Sequence, residues 1–215
     1  MLNLSLIDVQ ARRALPSILE VDRTCVALPY HTTYAVRIGG LTRVGPGRRL
    51  EIVTSVDGRN VVDNTDARPD GQGYVVDADV FTCTGFRISH SQVREFLFVP
   101  EGDGSVAERN NTAGAHGLIA FVIYSERVRP TTFELKSYGV TRGGERGTRS
   151  SGGTAAGQQV TSQVRETSFA RGPELLRGLI EYDTHESWLS RGIRFPLLGA
   201  GNPWPGNPGF STNLG

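Results

Sequence analysis

Residues 48–98 decide the fold: Arg48-Arg-Leu-Glu-Ile-Val-Thr-Ser-Val-Asp-Gly-Arg-Asn-Val-Val62, a polar loop, Gly73-Tyr-Val-Val76, Val80-Phe-Thr-Cys-Thr-Gly-Phe-Arg-Ile-Ser89 and Val93-Arg-Glu-Phe-Leu-Phe-Val99. The apolar residues recur with a period of two, which is a strand pattern and not a helical one. Leu50, Ile52 and Thr54 fall on one face of a strand over Leu50–Val56, and Glu51, Val53 and Ser55 on the other. Asp57-Gly58 is a tight-turn dipeptide that reverses the chain at once. Further strands are expected over Tyr74–Val76, Val80–Ile88 and Val93–Val99, with Gly85 a bulge or crossing point.

Outward from this block the same pattern continues. Residues 3–8 alternate weakly, and Asp8–Leu15 reads as a turn or a short helical turn. Ile18–Val21, Thr24–Leu28 and Thr32–Ile38 read as strands. Gly39-Gly40 and Gly45-Pro46-Gly47 punctuate a loop, and Pro100–Gly117 is a long polar one. Leu118–Tyr124 is apolar throughout, as expected of a central strand buried on both faces. Gln163–Phe169 and Leu176–Tyr182 are expected strands. Thr184–Ser190 is an expected short helix, N-capped by Thr184 and closed by Gly192.

The expected organisation is a β-sandwich core over 1–141, a Gly/Arg-rich loop over 142–162, strands and a short helix completing the domain over 163–195, and an extended Pro/Gly arm over 196–215. Many short strands with one helix imply a mainly β, antiparallel, jelly-roll-like sandwich, not a parallel α/β fold.

Composition narrows function by exclusion. A chain of 215 residues can bury a core without staples. The formal net charge of +1 offers no global attraction to nucleic acid or to a membrane surface, and nucleic acid is not an expected partner. Of the 23 basic residues only Lys136 is a lysine. Such an arginine bias suits phosphate contacts, but codon bias in a GC-rich genome is the favoured explanation. Cys25 and Cys83 read as buried thiols. The N-terminus, with Asp8 early and no basic stretch, does not read as a signal peptide. No apolar run approaches membrane-spanning length.

Several segments resemble an uncharacterised family of bacterial and phage-borne proteins. These are Leu4-Ser-Leu-Ile-Asp8 with Arg12-Arg-Ala-Leu-Pro16, Tyr34-Ala-Val-Arg-Ile38, Ser55-Val-Asp-Gly-Arg-Asn-Val61, Gly73-Tyr-Val75, Gly85-Phe-Arg-Ile-Ser89, Phe96-Leu-Phe98, Ile180-Glu-Tyr-Asp183 and Leu189-Ser-Arg-Gly-Ile193. Members share a Ser-Val-Asp-Gly-x-Asn-Val core, and where they tend to have Gly-Trp-Arg this chain has Gly85-Phe86-Arg87. The resemblance implies a shared β-sandwich fold and brings no catalytic residues.

Candidate chemistry is sparse. Asp57, Asp63, Asp66 and Asp70 have the oxygen ligands of a Ca²⁺ loop, but their spacing fails the EF-hand pattern and suits turns instead. No His or Cys spacing supports zinc, no Gly-x-Ser-x-Gly elbow supports a serine nucleophile, and no cofactor is implied. Glu181 and Asp183 share a strand face; a glycosidase-type carboxylate pair is the sharp reading and a solvated face the bland one. Arg142, Arg146 and Arg149 stand in the linker-like loop, without the lysine of a P-loop. Trp204, Pro205 and Phe210 lie in the arm, where an aromatic held by prolines is a pre-extended anchor for a partner.

The expected function is that of a non-enzymatic structural protein in a multi-subunit assembly: a phage virion component, either capsid decoration, cement or minor structural protein. Its expected partners are other protein subunits, and its expected location is the virion or a cytoplasmic assembly. The alternatives are a β-sandwich module binding a glycan or another ligand, and an enzyme with an unrecognised site around the aspartates or the Glu181–Asp183 pair.

Overall fold

A computed structural model describes residues 2–109, 115–127 and 150–195. In chain order its elements are β1 (Asn3–Asp8), β2 (Arg13–Ala14), β3 (Ser17–Leu19), β4 (Thr24–Ala27), β5 (Thr33–Gly39), α1 (Leu41–Val44), β6 (Leu50–Val56) and β7 (Arg59–Asn60). They continue with β8 (Tyr74–Val76), β9 (Val80–Cys83), β10 (Gly85–Ser89), β11 (Gln92–Pro100), α2 (Val106–Arg109), β12 (Leu118–Glu126), β13 (Gly152–Thr161), β14 (Arg171–Asp183) and α3 (His185–Ser190).

The strands form two sheets. One runs β10-β11-β5-β1-β2, with β13 on β11 and β9 on β5; the other runs β3-β4-β14-β12-β6-β7, with β8 on β6. Among the described residues every pairing is antiparallel except β4 with β14. The chain crosses repeatedly between sheets, so neither can form as an independent meander. This is the expected mainly β sandwich, assembled from short strands.

The core between the sheets follows the period-two reading. Leu50, Ile52 and Val56 of β6, Ile119, Phe121 and Ile123 of β12, and Val36 and Ile38 of β5 all enter it. Rings of Tyr34, Phe86, Phe96, Phe98 and Tyr182 fill its middle, with Phe86 edge-on to Phe96 at 5.0 Å. A second, smaller cluster lies around α3, where Trp188 and Phe195 pack on Cys25 and Ala27 of β4. The strand β12 is central, between β6 and β14. Its outward residues Ala120 and Tyr124 are only half-buried, so it is not sealed on both faces.

The Asp57-Gly58 turn has φ 50° and 78°, both left-handed. This matches a two-residue hairpin that follows the twist of its strands, and it pairs Val56 with Arg59. Gly85 marks the crossing point: β9 pairs β5, and immediately beyond Gly85 β10 pairs β11. A Cβ at Gly85 would stand 2.0 Å from the Arg94 carbonyl oxygen.

The structure corrects four expectations. The described part of the expected 142–162 loop contains β13, a ten-residue strand paired along β11. Its glycines look like linker but serve close approach: a Cβ at Gly152 would lie 2.5 Å from the Val99 carbonyl oxygen, and one at Gly153 2.7 Å from Asp57 Oδ2. Residues 163–169, expected as a strand, are irregular and mostly exposed, because no strand pairs them. Two loops contain single-turn helices, α1 and α2. Residues 13–14 turn back onto β1 as β2. Among the described residues no helix is long and apolar enough to cross a membrane.

Gly85→Ala should therefore force backbone apart at the crossing point, a type of overpacking that costs about 1–3 kcal/mol or more. Chemical denaturation should show a lowered midpoint; an unchanged midpoint would contradict the close approach.

Candidate functional site

Asp57 leaves the surface turn that its sequence predicts and points inward, where it is fully buried. Its Oδ1 accepts hydrogen bonds from the Tyr182 hydroxyl at 2.6 Å and from Gly117 N–H at 3.0 Å. Its Oδ2 accepts from Thr154 N–H at 2.5 Å. The Thr154 hydroxyl then lies 2.5 Å from both the Tyr34 and the Tyr182 hydroxyls. Tyr34 and Thr154 belong to one sheet, and Asp57 and Tyr182 to the other. One carboxylate thus pins the two layers together. Burial pushes the Asp57 carboxyl up to about 7, while the bonds from Tyr182, Thr154 and Gly117 pull the other way. Burial also raises the Tyr182 and Tyr34 hydroxyls, with the Asp57 charge adding to the effect.

Glu181 and Asp183 share a face of β14 as their spacing requires, but that face is not solvated. Both are fully buried. Glu181 pairs with Arg23 at 2.7 Å and with Arg191 at 2.6 Å. Asp183 accepts from Arg191 Nη2 at 3.0 Å, the Ser187 hydroxyl at 2.6 Å, Thr184 N–H at 2.7 Å and both the N–H and hydroxyl of Ser151. The helix α3 begins as predicted, with Thr184 Oγ1 accepting from Ser187 N–H at 3.1 Å, and Gly192 follows it at φ 80°. It brings Arg191 over the pair, with the guanidinium stacked on Trp188, 3.8 Å from the ring centre. Two carboxylates spent on ion pairs behind a helix have no access for a sugar, and their work is to fasten α3 to the sheet.

The remaining acidic candidates disperse. Asp63 Oδ1 accepts from Thr65 N–H at 3.0 Å, Asp66 pairs with Arg59 at 2.5 Å, and exposed Asp70 lies 4.0 Å from Arg68. Arg171 holds this loop, making paired bonds to Glu51 at 2.7 and 2.6 Å and reaching the carbonyls of Asp70 and Gly71. Among the described residues no three His, Cys, Asp or Glu side chains are grouped to hold a metal ion. The structure does not bring Asp57, Asp63, Asp66 and Asp70 together. Arg142, Arg146, Arg149, Trp204, Pro205 and Phe210 lie outside the described residues.

Cys25 and Cys83 are free, buried and on different sheets. Burial raises both thiols, Cys83 to about 12, so neither is a poised nucleophile. One pairing escaped the sequence reading. The Ser105 hydroxyl lies 2.8 Å from His116 Nε2, both side chains buried. The same hydroxyl accepts from Glu108 N–H while Glu108 accepts from Ser105 N–H at 2.9 Å. This is a capping box, and its Ser-x-x-Glu spacing is legible in the sequence. The serine caps the helix, and its hydroxyl and the His116 ring satisfy each other inside the fold.

The chain matches no protein-family model, no curated protein and no solved structure.

Two outcomes follow. Asp57 is raised from an ordinary 3.8 to about 7, so the folded state keeps a proton that the unfolded state releases. The contribution of this group to stability is then fully present below about pH 4 and is lost as pH rises through 7. Thermal melting across pH 4.5–7.5 should fall with pH for the native chain, and Asp57→Asn should remove that slope while lowering stability throughout, since its amide NH₂ would face N–H donors. Arg191→Ala strips a cation from two buried carboxylates and should cost about 3–5 kcal/mol in urea denaturation, with the Trp188 emission shifting to the red.

Proposed function

We propose that the chain is a non-enzymatic structural subunit of a multi-subunit assembly, a phage virion component of the decoration, cement or minor structural kind. The observation that carries this reading is the edge strand β13. Its ten residues, Gly-Gly-Thr-Ala-Ala-Gly-Gln-Gln-Val-Thr, contain no charge and no proline, and among the described residues β11 is its only paired strand. Monomeric sheet proteins blunt such edges with lysine, proline or a covering segment, because free N–H and C=O groups template pairing with another chain. The helix α2 lies against part of β13, but Gln158 and Gln159 beyond it are exposed. This fits strand addition by a neighbouring subunit.

Two further features support the same reading. The buried polar groups, Asp57, Glu181, Asp183 and Ser105, are all committed to holding the fold, which is the economy of a scaffold. The segments that resemble the bacterial and phage-borne family include β1, the β6–β7 hairpin and the end of β14, which form the framework itself. On this reading the subunit's neighbours are protein chains.

Light scattering coupled to size-exclusion chromatography tests the assembly role. The native chain should form a defined oligomer or co-purify with particles. Gln158→Lys/Gln159→Lys should shift it towards monomer with its melting temperature unchanged. A native chain that stays monomeric at all concentrations and never associates with particles would remove the proposal.

A further inference from the structure

On the outer face of the first sheet lies a groove of about 560 Å³, within the range of small-ligand sites. Three arginines line it from three separate elements: Arg12 from the β1–β2 turn, Arg37 from the middle of β5 and Arg43 from α1. All three are exposed, and among the described residues no ion pair or hydrogen bond engages their guanidinium groups. Other arginines are held in place: Arg171 is clamped to Glu51, Arg49 to Glu126 and Arg191 to Glu181. Arg37 is also unusual in position. It projects from the centre of a sheet face, with Ser5 of β1 opposite it on one side and Thr82 of β9 on the other.

Among the described residues Asp79 is the one carboxylate lining the groove, and a single negative charge beside Arg43 offsets only part of the charge of three arginines. Asp79 accepts from Thr42 N–H at 3.0 Å and lies 2.5 Å from the Thr42 hydroxyl, fixing the start of α1. Those bonds, with a smaller contribution from the charge of Arg43, hold its carboxyl below the ordinary range. Three guanidiniums gathered around one concavity repel each other, and each offers a planar fork of donors suited to phosphate oxygens.

We propose that this groove is a binding site for a small molecule carrying two or more linked phosphate groups. Three cations match the charge of such a group better than that of a single phosphate. The Asn3 amide and the Ser5 and Ser17 hydroxyls beside them can bond the polar remainder of the ligand. Among the described residues no aromatic side chain lines the groove, so they offer no stacking platform of the kind by which single-stranded nucleic acid is held. The site is independent of the assembly role, and either can fail without the other.

Inorganic tripolyphosphate is the probe, titrated calorimetrically at low salt in a phosphate-free buffer. The native chain should bind one equivalent. Arg37→Ala/Arg43→Ala should weaken binding at least about tenfold, which is ~1.4 kcal/mol, while its unliganded melting temperature stays native, because neither guanidinium supports the fold. Arg94→Ala/Arg165→Ala removes the same charge from exposed positions outside the groove and should bind as the native chain does. If the alanine pair misfolds, Arg37→Gln serves in its place with the same expected loss. The proposal is overturned by a native chain that does not bind, by equal losses in both double variants, or by a single-stranded oligonucleotide that binds where tripolyphosphate does not.

Discussion

A buried carboxylate that touches both layers of a sandwich constrains everything around it. Asp57 can accept from Thr154 N–H only if β13 lies beside the β6–β7 hairpin, and from the Tyr182 hydroxyl only if the end of β14 reaches the same point. The left-handed turn at Asp57 aims the carboxylate inward instead of out. A glycine must then stand at 153, because a Cβ there would crowd Asp57 Oδ2. Sheet spacing, strand register and local composition are all consequences of satisfying one charge-bearing group in an apolar interior, where leaving it unpaired is far costlier than the pairing is rewarding.

The second buried cluster repeats this logic at the end of the domain. Glu181 and Asp183 would be intolerable behind α3 without Arg23 and Arg191, and Arg191 is placed by the helix that covers them. The helix is short, and its own hydrogen bonds would not hold it in water. It persists because Trp188 is fully buried against β4, donating its ring N–H to the Val26 carbonyl at 2.9 Å, and because Thr184 caps it. Polar satisfaction and apolar burial are thus tied to one short helix and its two caps.

Local periodicity made part of this legible from sequence. The strands β6 and β12, the Asp57-Gly58 turn and the Thr184 cap each depend on neighbours within a few residues. What stayed hidden depends on distant ones. The partners of Asp57 lie 60, 97 and 125 positions away, so its spacing reads only as turn chemistry. The strand β13 reads as a linker because its small residues answer to the Val99 backbone and to Asp57, not to one another. Glu181 and Asp183 read as a solvated face because nothing local shows that Arg191 folds back over them. The arginine groove needs the β1–β5 pairing to bring Arg12 near Arg37. The Ser105-x-x-Glu108 box is the exception, a local signal within a stretch whose glycines and asparagines mask it.

Among the described residues one ladder is parallel, and it sets the order in which the two sheets can be completed. It joins Thr24–Ala27 to Ile180–Asp183, so β4 waits for β14, the last of the described strands. On a ribosome the β3–β4 hairpin emerges early with its other edge open, and nothing can close that edge until nearly all the described chain has been made. Closure over so long a loop is slow, and an unpaired edge in the interval is exposed to the wrong partners. The nascent chain therefore carries a vulnerability that the finished fold no longer shows.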